Sequence, residues 1–291
     1  LTGKHIDLGH KRRWQKRRIY RWTLFEKLSR EAAKSYISLD VIRKIEQGSR
    51  KILYAEELHK IAKALKLSPA EQRAFYALTQ DVYSLQIIDN QAVDEAFANA
   101  WQHLSTTRQP TYLFNSLYDL VGANVSMMAF HRMTPEKLMA ASKTKFGCNL
   151  LGFLFAPNAP LRTTAQAAWQ RIVEANIRQF RCTSMRYRDT KRFSTLVKEL
   201  HKLPNFSELW SEMLVNQQDP SSQLRMYKYC HEEYGPIHYG VICTLMPTPH
   251  GDLHLATFEA YDGPTYDLFH MISQEYKPPT QIIDWPIAEM A

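Results

Sequence analysis

The sequence predicts two joined parts of different class: an all-α bundle over residues 1–80 and an α+β domain with an antiparallel sheet over residues 110–291. Short helical patterns closed by capping signals crowd the first part. Beyond Pro110 the hydrophobic period changes, and in the last third apolar runs alternate with turn residues. Charge divides at the same place. Residues 1–80 hold 19 Lys/Arg against 8 Asp/Glu, while the remainder holds 18 against 21.

With 291 residues, 45% of them hydrophobic, the chain can bury a sizeable core, which excludes wholesale disorder. No apolar run approaches the roughly 20 residues needed to cross a bilayer, so membrane insertion is not expected. The opening LTGKHIDLGHKRR has no apolar signal core. Cys148, Cys182, Cys230 and Cys243 show no paired spacing, which suits reduced thiols and a cytoplasmic setting. A basic module on a nearly neutral body implies that one part meets a polyanion; a solvated basic surface is the plainer alternative.

The run KRRWQKRRIYR (11–21) has seven basic groups and no acid. TLFEKLSREAAK is rich in strong helix formers and lacks Gly and Pro. Ser38 can cap a further helix through LDVIRKIEQ, which Gly48 can end in the left-handed region. YAEELHKIAKALKL sets Leu58, Ile61, Ala62 and Leu65 on one face. Ser68-Pro69-Ala70-Glu71 then combines a capping box with proline at the first helical position. The second and third of these helices form a helix-turn-helix candidate.

ISLDVIRKIEQGSRK, with LHKIAKALKLSPAEQRAFYAL after it, resembles the XRE-type (lambda-repressor-like) helix-turn-helix. That resemblance implies that the helix beginning near Ser38 enters a DNA major groove. Ser38, Leu39, Asp40, Arg43 and Lys44 would lie near base edges or adjacent phosphates. Arg50 and Lys51 would clamp the backbone, as would Arg17, Arg18 and Arg21. Glu46 would be structural.

Residues 81–109 read as a helical connector. After Pro110, TYLFNSLYDLVGAN suggests two short strands about a turn at Asn115-Ser116, and Thr134-Pro135 opens a short helix. TTAQAAWQRIVEANIRQFR reads as a longer helix in which Trp169, Ile172, Val173, Asn176 and Phe180 recur at helical spacing, a broad face suited to a sheet or a cavity wall. Two more helices are expected over 189–200 and 205–213, with Leu196, Leu200, Phe206, Leu209 and Trp210 packing inward. LRMYKY, IHYGVICTLM and LHLATFEAY are the strands of a meander, with helices laid across one face.

The ordered blocks PTYLFNSLYDLVGAN, NLLGFLFAP, ELHKLPNFSELW and YKYCHEEYGPIHYGV resemble the MmyB-like transcription-regulator ligand-binding domain, over about 110–271. The resemblance implies a PAS-like domain: a central antiparallel sheet and a cavity closed by helices. Candidate lining residues are Phe130, Leu151, Phe153, Phe155, Trp169, Val173, Phe180, Tyr187, Trp210, Tyr239 and Phe258. Such a wall suits a small, largely apolar effector, fatty-acid-like for example, with Arg178 or Arg181 meeting a carboxylate.

Gly-x-Ser-x-Gly, Walker A and dinucleotide glycine motifs are absent from the sequence, so an enzyme is not expected and no cofactor is called for. Cys230, His231, His238, His250 and His254 lie near one another in sequence but lack metal-site spacing. The expected protein is a homodimeric regulator that binds a double-stranded operator and senses an effector. The alternative is a DNA-binding protein whose second domain serves only dimerisation or protein contacts.

Overall fold

The computed structural model describes residues 38, 40–41, 44, 55–64, 67, 69–79, 90–157, 161–162, 168–188, 190–215, 224–248, 251–274 and 278–285, and elements are numbered among these. The basic run at 11–21, the helix read over 23–34 and the Gly48 turn lie outside them.

A helix pair comes first, α1 (Ala55–Ala64) and α2 (Pro69–Thr79). Ala62 and Phe75 are buried together with Leu67, and Leu58 and Ile61 pack against them, as the stripe on α1 predicts. Leu65 and Ser68 lie outside the described residues.

Helix α3 (Asn90–Thr106) occupies the second half of the expected connector. Phe97, Ala100, Trp101 and Leu104 recur at helical spacing and pack on Leu113, Val121, Leu253 and Leu255. These four come from three strands, so α3 covers one face of the sheet.

That sheet has six strands in the order β3-β4-β5-β1-β2-β6, all pairs antiparallel. The strands are β1 (Thr111–Asn115), β2 (Leu120–Ala123), β3 (Leu224–His231), β4 (Gly235–Thr248), β5 (Gly251–Ala260) and β6 (Thr280–Gln281). Side chains alternate across it. Leu113, Leu253 and Leu255 face α3, while Tyr112, Phe114, Tyr227, Tyr239, Ala256 and Phe258 enter the cores of the other face. Helices therefore lie on both faces, where the sequence suggested one. The apolar residues of α3 explain the second layer.

The other face carries α4 (Val125–Phe130), α5 (Pro135–Ser142), α6 (Leu150–Phe155), α7 (Trp169–Thr183), α8 (Lys191–Leu200), α9 (Phe206–Val215) and α10 (Gly263–Ile272). Asn124, Thr134, Asn149, Thr190 and Asp262 cap five of these helices through their side chains. Val173, Ile177 and Phe180 on α7 meet Phe193, Leu196 and Leu200 on α8 and Phe206 and Leu209 on α9 in one cluster. Asn124 does more than cap. It accepts from the Thr111 and Met127 amides and donates to the Thr107 and Gln109 carbonyls, tying α3 and β1 to α4.

Candidate functional site

Between the sheet and its inner helices lies a cavity of about 50 Å3. The sheet contributes Tyr112, Tyr227, Tyr239, Val241 and Phe258; Leu150 and Leu154 of α6, Leu161, and Ile172 and Asn176 of α7 face them, with His131 at the end of α4. The aromatic wall is held from behind. Tyr239 stacks on Phe258 at 4.6 Å between ring centres, and Phe130 stands edge-on to both.

Two helical spacings explain the opposite wall. Ile172 and Asn176 stand four residues apart on α7, one step round from the Val173-Ile177-Phe180 stripe that fills the core. Asn149 fixes α6 by accepting from the Leu151 amide, which sets Leu150 and Leu154 toward the cavity.

Polar groups on the lining carry no net charge. Burial, with the neighbouring His231, pushes His131 down to about 3, so its imidazole is neutral. The Tyr239 hydroxyl is buried and its titration moves well above the ordinary tyrosine value, so it too stays neutral. Asn176 donates its amide to the Ile172 carbonyl at 2.8 Å. Among the described residues the lining includes no Lys, Arg, Asp or Glu.

His231 is fixed as a single tautomer. One ring nitrogen, Nε2, faces the Phe130 carbonyl at 3.2 Å and must donate; Nδ1 faces the Glu233 and Tyr234 amides and must accept. Burial lowers its affinity for a proton despite the carbonyl bond. The other histidines of this region are engaged separately. His254 meets the Ser116 hydroxyl and stacks on Phe114, and His238 lies 4.0 Å from Asp262. His250 is outside the described residues.

Of the ligand candidates read from sequence, Tyr239 and Phe258 line the cavity and Phe130 stands one layer behind. Leu151, Phe153, Phe155, Val173, Phe180 and Tyr187 are buried in the core beneath the helices. Trp169 packs at the edge of that core, its indole N–H donating to the Leu154 carbonyl and Arg162 lying over its ring. Trp210 stacks on Phe206. Neither arginine proposed as a carboxylate anchor is on the lining: Arg178 lies 3.7 Å from Glu174, and Arg181 binds Glu71. Ile172 and Asn176, read from sequence as part of the broad face of α7, are on the lining; sequence reasoning missed Tyr112, His131, Leu150, Leu154, Leu161, Tyr227 and Val241. Strand alternation was the available signal for Tyr227 and Val241, which share a sheet face with Tyr239.

Among the DNA-contact candidates, Ser38, Asp40 and Lys44 are described and exposed. The Ser38 hydroxyl accepts from the Val41 amide, as its capping role predicts, and Asp40 pairs with Lys44 at 2.7 Å. Arg17, Arg18, Arg21, Leu39, Arg43, Arg50 and Lys51 lie outside the described residues. No helix among the described residues is long and apolar enough to cross a membrane.

The cavity falls within residues 96–268, which match the model of the MmyB-like transcription regulator ligand binding domain. No curated protein matches the chain. The match spans more than half of the sequence, and the chain belongs to the MmyB-like transcription-regulator family.

Proposed function

We propose that this member of the MmyB-like family is a sequence-specific DNA-binding regulator whose PAS-like domain senses a small, largely apolar effector such as a fatty acid. One observation carries the reading: a ring-walled cavity lies inside the span matched by the ligand-binding family model. The basic excess in residues 1–80 supports the DNA partner, through counterion release from phosphates. A central antiparallel sheet with a cavity closed by helices supports the PAS-like reading. The regulator acts in the cytoplasm, catalyses no reaction and works as a homodimer on a near-palindromic operator.

The effector has to bind two arrangements of the protein unequally, since equal affinity shifts nothing. Fluorescence anisotropy on duplexes from the protein's own promoter region, with and without decanoic acid, tests this. The expected result is salt-sensitive binding whose affinity changes with the acid. Binding unaffected by decanoic acid or by a cellular lipid extract would replace the reading with a DNA-binding protein whose second domain only dimerises. Absence of salt-sensitive binding would remove the DNA partner as well.

A further inference from the structure

Helix α7 takes part in two places at once. Its first half supplies Ile172 and Asn176 to the cavity, and its last turn supplies Arg181 to a contact with the α1–α2 pair. At about 1.5 Å per residue, Asn176 and Arg181 lie roughly 7.5 Å apart along one rigid rod.

The contact is a buried ion pair. Nε and Nη2 of Arg181 both reach Oε1 of Glu71, at 2.9 and 2.8 Å, and Arg188 approaches the same oxygen at 3.5 Å. The two principal side chains are only 5% and 3% exposed. The Arg188 guanidinium also donates to the Arg181 carbonyl, so the second arginine is tied to the end of α7. Trp210 underlies the Arg181 guanidinium at 5.0 Å. Beside the ion pair, Met185 packs with Ala62, Leu67 and Phe75, which makes the junction dry. Glu71, read from sequence as a capping acid for α2, is thus the residue by which α2 grips the sensor.

A buried pair of this kind tolerates little displacement, because a small shift strands a charge where water cannot reach it. Such junctions have discrete arrangements rather than a continuum. We propose that the Glu71–Arg181–Arg188 clasp is the joint through which occupancy of the cavity is transmitted, along α7, to the α1–α2 pair of the amino-terminal module. The proposal rests on the reading that the cavity accepts an effector. Its own content is mechanical: wall displacement at Ile172 and Asn176 alters α1–α2 only while the clasp is intact.

A double-mutant cycle on the full chain tests it, read by amide hydrogen exchange of residues 55–79. Glu71→Gln keeps the shape and removes the charge. It should speed exchange in 55–79 at least tenfold while leaving β1, β4 and β5 protected. Ile172→Trp fills the cavity and stands in for occupancy. It should change exchange in 55–79 at least threefold in the Glu71 chain and not in the Glu71→Gln chain. Equal effects in both chains, or an effect in neither, overturn the proposal. If Ile172→Trp loses sheet protection, Asn176→Met takes its place in the cycle with the same criteria. Calorimetry with decanoic acid on the unaltered chain separates the two levels: no uptake counts against the fatty-acid reading, while the cycle decides the clasp independently.

Discussion

Replacing Asn149 by alanine should cost far more than removing an ordinary helix cap. Asn149 is fully buried and its side chain makes three bonds. Nδ2 donates to the Leu117 carbonyl at 2.7 Å and to Asp119 Oδ1 at 2.9 Å, and Oδ1 accepts from the Leu151 amide at 3.1 Å. Asp119 is in turn held by Arg192 at 2.6 Å. Alanine leaves the Leu151 N–H and the Leu117 carbonyl without these partners in a region where every residue of α6 is buried. The lost cap contributes about 1 kcal/mol. The Leu117 carbonyl, stranded in addition, adds about 1–3 kcal/mol, so the total is about 2–4 kcal/mol.

Thr134 supplies the comparison. It caps α5 in the same way, accepting from the Lys137 amide, but it is exposed and water can replace it. Thr134→Ala should therefore cost about 0.5–1 kcal/mol. Urea denaturation of both variants, followed by circular dichroism and by tryptophan fluorescence, gives the difference provided the m-value is unchanged. Costs within about 1 kcal/mol of each other would refute the argument that the buried partners, rather than the cap itself, set the energy.

Acid should destabilise the fold through its buried imidazoles. His131 is pushed down to about 3 and His254 to about 4, both principally by burial. Between those values and about 6.5 the unfolded chain binds protons that the folded chain refuses, so this stability is complete above pH 6.5 and declines as pH falls, by about 1.4 kcal/mol per unit for each histidine. His131→Asn should reduce the slope of stability between pH 6.5 and 4.5 by up to about 1.4 kcal/mol per unit; an unchanged slope in urea titrations would exclude His131 as a source of it. Gly122→Ala should cost about 1–3 kcal/mol, because the added carbon would lie 2.6 Å from Trp101 Cζ3. Trp101→Phe in the same chain should recover part of that loss in denaturation midpoint. Arg43→Ala should relax discrimination at one operator base pair by about 1–3 kcal/mol, measured against duplexes substituted at each position. Replacing Arg17 and Arg18 should flatten the salt slope by about 1.8, and an unaltered slope would take them off the phosphate surface.

Where one period dominates, the sequence was readable. Thr134-Pro135 caps α5, residues 116–119 turn between β1 and β2, and the last three long strands fall where alternation puts them. The two-residue strand β6 and the short α4 carry too few residues for a period to register. The cavity was legible as an aromatic wall but not as an address. Helix α7 has two adjacent stripes, 172/176 and 173/177/180, and hydrophobicity favours the second because it fills the core. Asn176 marks the first, a polar residue beside an apolar face, which is the pattern of a wall left partly open. Glu71 shows a different limit: local spacing reads it as a cap, while its ion-pair partner lies 110 residues away.

Cavity size bears on how any effector enters. An apolar cavity of about 150 Å3 can hold benzene, and this one is about 50 Å3. A molecule with an acyl chain must therefore part the walls. On the sheet side Tyr239, Val241 and Phe258 belong to strands paired on both edges, with β4 and β5 in register over ten residue pairs. On the helical side α6 is bolted to the 115–119 turn through Asn149 and Asp119. Helix α7 has fewer such ties along its cavity face: Ile172 and Asn176 are only half-buried, and the Asn176 amide bonds back to its own helix. The cavity wall with the fewest cross-ties is therefore on α7, and the last turn of that helix is the one that holds Glu71. If the clasp transmits occupancy as proposed, expansion of the cavity and strain on the clasp are one movement, felt at Ile172 and Asn176 and again at Arg181.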